Sequence, residues 1–193
     1  MLIVRNDVGR VESDLAGGRV VCPVCGGALG PWGHARGRVL RGGDRCEVLR
    51  PRRGRCRSCG VTQVFLPDVC LARRRDPVEV IGSVLVANAG GVGYRRIAQR
   101  TGIPAGTVRG WVRRFKATAD LVRSHFSVWA HRLDPLAAPV VPGGSVFADA
   151  LEAIGLAARA ATLRFGPRGS WGWASAMSGG WLLATRVHLW PAP

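Results

Sequence analysis

Two short stretches of this chain match each other closely: Cys22-Pro23-Val24-Cys25-Gly26-Gly27 and Cys56-Arg57-Ser58-Cys59-Gly60. Each is a Cys-x-x-Cys followed at once by glycine. A turn of this length aims two thiolates at one point, and a glycine after the second cysteine can take positive φ as the chain leaves. Two such turns supply four thiolates, the closed tetrahedral donor set of a structural zinc site. The spacing therefore predicts Zn2+ held by Cys22, Cys25, Cys56 and Cys59, in a zinc ribbon whose intervening 30 residues form a β-hairpin with residues 47–50 as one strand. A redox Cys-x-x-Cys is the competing reading, but that chemistry uses one pair at the start of a helix in a βαβ setting. This chain has two pairs and no such setting. His34, Cys46 and Cys70 are expected to be packed or surface residues, not ligands.

The region between the knuckles is dense in arginine, with Arg36, Arg38, Arg41, Arg45, Arg50, Arg52, Arg53, Arg55 and Arg57 opposed only by Asp44 and Glu47. Over 193 residues the formal charge is +16, from 28 basic against 12 acidic side chains. Such a balance calls for a polyanionic partner, and nucleic acid fits it best. Lys116 is the one lysine, so the charge is carried by guanidinium, the group suited to bidentate contact with phosphate and guanine. Part of that preference is what codon bias in a GC-rich genome would produce. Arg52 and Arg53 are expected to touch phosphates, which adds affinity and salt dependence without reading sequence.

Residues 94–113 carry a second pattern. Ala98 is small where two helices would cross, Gly102 follows four residues later where the chain must turn, and Val108 follows six beyond that. These offsets are the steric skeleton of a helix-turn-helix. Val108, Trp111, Val112 and Phe115 form one buried stripe of the second helix. Gly106, Thr107, Arg109, Gly110, Arg113 and Arg114 lie away from it. Each exposed glycine costs a helix about 1 kcal/mol relative to alanine, so two at i, i+4 suggest close approach of the backbone to DNA. Thr107, Arg109, Arg113 and Arg114, with Arg95 and Arg96 from the first helix, are the expected DNA contacts.

Around this motif, Asp76, Pro77 and Glu79 read as N-cap, first helical position and capping-box partner of a helix running to Ala89. Residues 1–21 suggest only a strand. Val122, Phe126, Trp129 and Leu133 predict a helix over residues 118–133, which either extends the bundle or pairs with a second copy to give a homodimer. Residues 135–144 read as a Pro/Gly linker. Phe147, Leu151, Ile154, Ala158 and Ala161 predict an amphipathic helix over residues 147–163. Trp171, Trp173, Trp181 and Trp190 are expected to pack as a C-terminal cap, with stacking on bases as the alternative. No signal peptide or membrane span is evident, so a cytoplasmic chain with reduced cysteines is expected. The fold class is then α+β and mostly α, with a ribbon (1–75), a three-helix unit (76–116) and a helical C-terminal extension (117–193).

The three-helix unit resembles homeodomain-like DNA binders. From Cys22 through Phe65-Leu66-Pro67 to Gly106-Thr107-Val108-Arg109-Gly110-Trp111, roughly half its length, the chain resembles the front end of insertion-sequence transposases that begin with a four-cysteine ribbon. More closely, it resembles an uncharacterised family of helix-turn-helix proteins from GC-rich bacteria related to them. The resemblance implies recognition of double-stranded DNA at transposon ends or promoter-like sites, with the helix from Ala105 as reader. It does not extend downstream, where a transposase needs three carboxylates around two metal ions. After Lys116 there are four acids, Asp120, Asp134, Asp149 and Glu152. His125, His131 and His188 have no evident catalytic partner, so the chain is not expected to be an enzyme. A sequence-specific DNA-binding protein, transposase-derived or regulator-like, is the leading reading. The alternatives are the recognition subunit of a transposase whose catalytic carboxylates lie on another chain, and an RNA-binding ribbon protein.

Overall fold

The computed structural model describes residues 1–42, 45–185 and 190–191, with the backbone alone at Gly42, Arg45 and Cys46. The readings placed on Asp44, Cys46 and His188 fall outside the described side chains. The fold is mixed α+β, with helix exceeding strand at 47% against 17%. The chain divides into two compact units, Met1–Pro77 and Val78–Pro193. Residues 117–193, which the sequence separates from the helices before them, thus share a unit with those helices.

The first unit is built on a four-stranded sheet ordered β1-β6-β5-β2, with β1 (Leu2–Val4), β2 (Leu29–His34), β5 (Arg52–Cys56) and β6 (Thr62–Pro67). β5 runs antiparallel to β2 and β6, whereas β1 lies parallel to β6 with Leu2 opposite Phe65. A second hairpin, β3 (Arg38–Gly42) with β4 (Arg45–Leu49), is nested between β2 and β5. The single expected hairpin is therefore two. The inner one has its own reason to fold, because Leu40 is buried with Leu66 and Cys70, and Ile3, Leu49 and Val69 pack around them.

Helix α1 (Val8–Ala16) was not foreseen by the strand expected for residues 1–21. Asp7 caps it, its carboxylate accepting from the Arg10 amide at 2.9 Å. Leu15 then buries completely among Leu29, Cys22, Cys56 and Phe65. Gly54 permits that approach: a Cβ there would lie 2.8 Å from the Phe65 ring and 3.0 Å from Leu15.

In the second unit, α2 (Val78–Ala89), α3 (Tyr94–Thr101) and α4 (Ala105–Ala117) surround a core of Ile81, Val84, Leu85, Ile97, Ala98, Val108, Trp111 and Phe115. Asp76, expected as the N-cap of the helix over Val78–Ala89, is buried, and its carboxylate accepts from Arg41 Nη2 at 2.9 Å. Helices α5 (Ala119–Leu133) and α6 (Val146–Phe165) pack along each other. The stripe of α5 expected either to extend the bundle or to meet a second copy is covered within the chain, at Val122 and Phe126. Helix α6 buries Ile154 and six alanines, Ala150, Ala153, Ala157, Ala158, Ala160 and Ala161, small residues that let two helices approach closely. Helix α7 (Ser170–Met177) returns to α2, where Trp171 lies against Gly82 so tightly that a side chain there would collide with its indole. No described helix is long and apolar enough to cross a membrane.

Candidate metal centre and basic helix face

The pairing of β2 with β5 sets Leu29 opposite Cys56, which places the first knuckle, just before β2, beside the second, at the end of β5. The two turns are built alike. Gly26 N–H donates to the Cys22 carbonyl at 2.9 Å and Gly60 N–H to the Cys56 carbonyl at 3.1 Å. Both glycines take the left-handed conformation, at φ 73° and 74°, which other residues adopt only with strain. Gly27 is needed for a different reason, since a Cβ there would run into Ser58 from the opposite knuckle.

The four Sγ atoms of Cys22, Cys25, Cys56 and Cys59 all lie within 4.8 Å of one another. Cys22 and Cys59 are 3.8 Å apart, Cys25 and Cys56 3.4 Å. A tetrahedral ion with metal–sulfur bonds of about 2.3 Å has sulfur–sulfur edges of about 3.8 Å. The cluster therefore matches that size and could hold a metal ion. Its thiols are unequal. The Cys59 amide, donating to Cys56 Sγ, is the chief cause holding Cys56 down to about 6. At Cys59 itself the Val61 amide pulls downward, yet the Cys25 thiol, desolvation and the Cys56 and Cys22 thiols together push it up to about 12. Four thiols this close resist ionising together unless a cation shares their charge. Cys70 lies outside the cluster, buried, with its thiol pushed up by that burial. His34 sits exposed at the end of β2.

The second candidate feature is the outer face of α3 and α4. Gly102 ends α3 at φ 68° and ψ 3°, and Pro104 precedes α4 in extended conformation, so three residues connect the two helices. Ala98 is 8% exposed and Val108 fully buried between the helices. By helical period, Gly106, Arg109, Arg113 and Lys116 share an arc opposite the buried stripe, and all four are exposed. Arg95 and Arg96 are exposed on the first turn of α3. Tyr94, a residue the motif reading passed over, lies between two of these cations: Arg95 sits 5.8 Å and Arg109 5.9 Å from its ring centre. Its position at the head of α3, next to two arginines, was the available signal. Neither helix glycine is required by the chain's own packing. A Cβ on Gly106 would meet nothing within 4 Å, and on Gly110 only the flexible end of Arg114, at 2.9 Å.

The remaining expected contacts are placed less openly. Thr107 is half-buried near the start of α4. Arg114 folds back so that Nη1 donates to the Gly110 carbonyl at 3.1 Å. Arg53 is half-buried on β5, on the face opposite Gly54. Arg52 has another partner: Nε and Nη2 grip both oxygens of Glu12, and Nη1 donates to the Gly33 carbonyl at 2.6 Å. That fork fastens α1 to the sheet, and its charge is matched on the spot.

The C-terminal tryptophans are packed. Trp173 Nε1 donates to Thr162 Oγ1 at 2.9 Å, under the Arg168 guanidinium, and Trp190 Nε1 donates to the Trp181 carbonyl at 3.0 Å. His125, expected to stand alone, is clasped. Trp129 Nε1 donates to its Nε2 at 3.1 Å, the Met177 carbonyl lies 3.0 Å from the same nitrogen, and the Trp190 ring meets it edge-on. Comparison with family models, curated proteins and solved structures finds no match to this chain.

Proposed function

We propose that the chain is a sequence-specific DNA-binding protein, transposase-derived or regulator-like, in which α4 reads the major groove of duplex DNA and the four cysteines hold a structural Zn2+. One observation carries the first part. Residues 90–117 contain seven basic side chains and no Asp or Glu. They fold so that Arg109 and Arg113 share an open helix face with Gly106, whose missing side chain no packing among the described residues explains. A helix backbone freed of Cβ atoms and flanked by guanidinium groups suits close docking into a groove. Arg95 and Arg96, with Thr107 and Arg53, are proposed as supporting contacts. Arg52 is assigned to the fold, and Arg114 to the Gly110 carbonyl of its own helix.

Zn2+ is proposed because four thiolates at tetrahedral spacing suit it, and reduced thiols suit the cytoplasm. No catalytic role is proposed. Of the late acids, Asp149 is buried and accepts from the Gly143 amide at 2.8 Å, Asp134 accepts from the Leu136 amide at 3.0 Å, and Asp120 faces Arg123. Magnesium-dependent strand cleavage lost on mutating Asp149 or Glu152 would overturn this part.

The deciding experiment selects bound sequences from random duplex DNA and compares parent with Arg113→Ala on the selected and a scrambled duplex. A bidentate base contact is worth about 1–3 kcal/mol of discrimination, so the variant should weaken the selected site and narrow its advantage. Equal loss on both duplexes would show that α4 does not read bases.

A further inference from the structure

We infer that the first unit carries a separate site for an unpaired DNA strand, with Trp32 stacking a base and the adjoining arginine groove taking the phosphates. DNA rather than RNA is chosen because of the function proposed above; the geometry stands independently of it.

Trp32 lies on β2, outside both core clusters of the unit, and is 49% exposed. The Arg55 guanidinium, from the paired strand, sits 4.7 Å from its ring centre. The indole is thereby backed by a cation while much of its surface stays open. Just beyond Trp32 the strand bulges between Pro31 and His34, where Gly33 takes φ 74°. His34 then lines a groove of about 730 Å³. Arg36, Arg38, Arg50 and Arg75 line it together with Val39 and Val48, a cross-strand pair of the inner hairpin. No Asp or Glu is among its described lining residues. The valines are 44% and 63% exposed. Arg38 reaches the Leu71 carbonyl with Nη2, while its buried Nε has no hydrogen-bond partner among the described residues.

An apolar floor with guanidinium groups around it suits a ligand that is itself apolar on one side and anionic on the other, as a nucleotide is. A free anion would leave the valines unused. A duplex hides the faces of its bases, whereas an unpaired base offers its π-face to an exposed indole. Trp32 and His34 are two residues apart, so even across the bulge their Cα atoms lie within roughly 7 Å of each other. A base stacked on Trp32 would bring its own phosphates within reach of the arginine groove.

The test uses the full metal-bound chain and fluorescence anisotropy of a short labelled oligothymidylate. Trp32→Ala should weaken binding about 5- to 150-fold, the loss of one stacked base. Trp32→Phe should retain most of the affinity. Arg36→Gln and Arg50→Gln should each lower the slope of log affinity against log salt by about 0.7. Arg113→Ala should leave this binding unchanged, and the Trp32 variants should bind the selected duplex normally. Should Trp32→Ala lose its metal or fold, Trp32→Phe and the two arginine variants decide alone. Oligothymidylate binding indifferent to Trp32 and to both arginines would overturn the inference, as would oligouridylate bound ten-fold tighter than oligothymidylate. Oligothymidylate binding that depends on Trp32, in a protein that selects no duplex sequence, would uphold this site while the α4 reading fails.

Discussion

Gly106 and Arg52 show how differently single residues can be read from the chain. Gly106 is exposed in the first turn of α4 with open space where a Cβ would go. Gly106→Ala should therefore stabilise α4 slightly in thermal or denaturant unfolding, by less than the roughly 1 kcal/mol of a helix interior, and at the same time weaken binding to the selected duplex. Stabilisation with unchanged binding would remove the glycine from the interface. Its exposure was legible because the apolar stripe of α4 fixes which face is buried. Arg52 was not legible. It stands next to Arg53 in sequence, but strand alternation sends the two to opposite faces, and Glu12, its partner, lies 40 positions away. Arg52→Ala should loosen α1, costing about 1 kcal/mol for a partly exposed forked pair, and should leave the salt dependence of DNA binding unaltered. A reduced salt slope would return Arg52 to the phosphate contacts.

Among elements, the knuckles were legible down to the glycine φ angles, because two copies of one short pattern leave few ways to build a turn. The nested hairpin was not, since its reason is the burial of Leu40 against Leu66 and Cys70, residues far along the chain. Helix α1 left a fainter trace, with Asp7 as cap and Val11 and Leu15 at i, i+4 amid polar residues. Helix α6 was found, and Ile154, Ala158 and Ala161 of its expected stripe are buried, but bulky Phe147 and Leu151 are only partly so, while Ala150, Ala153 and Ala157 join the buried face. Hydrophobic spacing follows large side chains, and a close helix pair selects small ones. For the knuckles as an element, Cys25→Ser should abolish a stoichiometry of one zinc per chain by elemental analysis and unfold the sheet they anchor. Structural zinc sites bind with apparent energies on the order of 10–16 kcal/mol, more than a small unit can lose. A variant that keeps both metal and fold would refute the centre.

At the scale of the whole molecule, division into two units makes stability separable. A chelator should melt Met1–Pro77 and leave the helical signal of Val78–Pro193 in place, giving two transitions where the metal-loaded chain need not show them. The second unit has its own pH response. Burial holds the His125 imidazole below its ordinary value, with the Met177 carbonyl partly opposing. The unfolded chain takes up that proton near pH 6.5, so below this the unfolded state binds more protons than the folded one. Stability of the helical unit should fall as pH drops from about 7 toward the folded value, then level off, and His125→Gln should flatten the curve. The parallel pairing of Leu2 with Phe65 also bears on how the protein is made. A ribosome extending the chain at roughly 5–20 residues per second emits the apolar run Leu2-Ile3-Val4 some 3–13 seconds before its partner strand exists. Strand β1, made before the other strands of its sheet, must thus wait for β6, and until then its edge is open to other pairing. Slowing growth or lowering temperature during expression shifts the balance between docking and aggregation at that one strand.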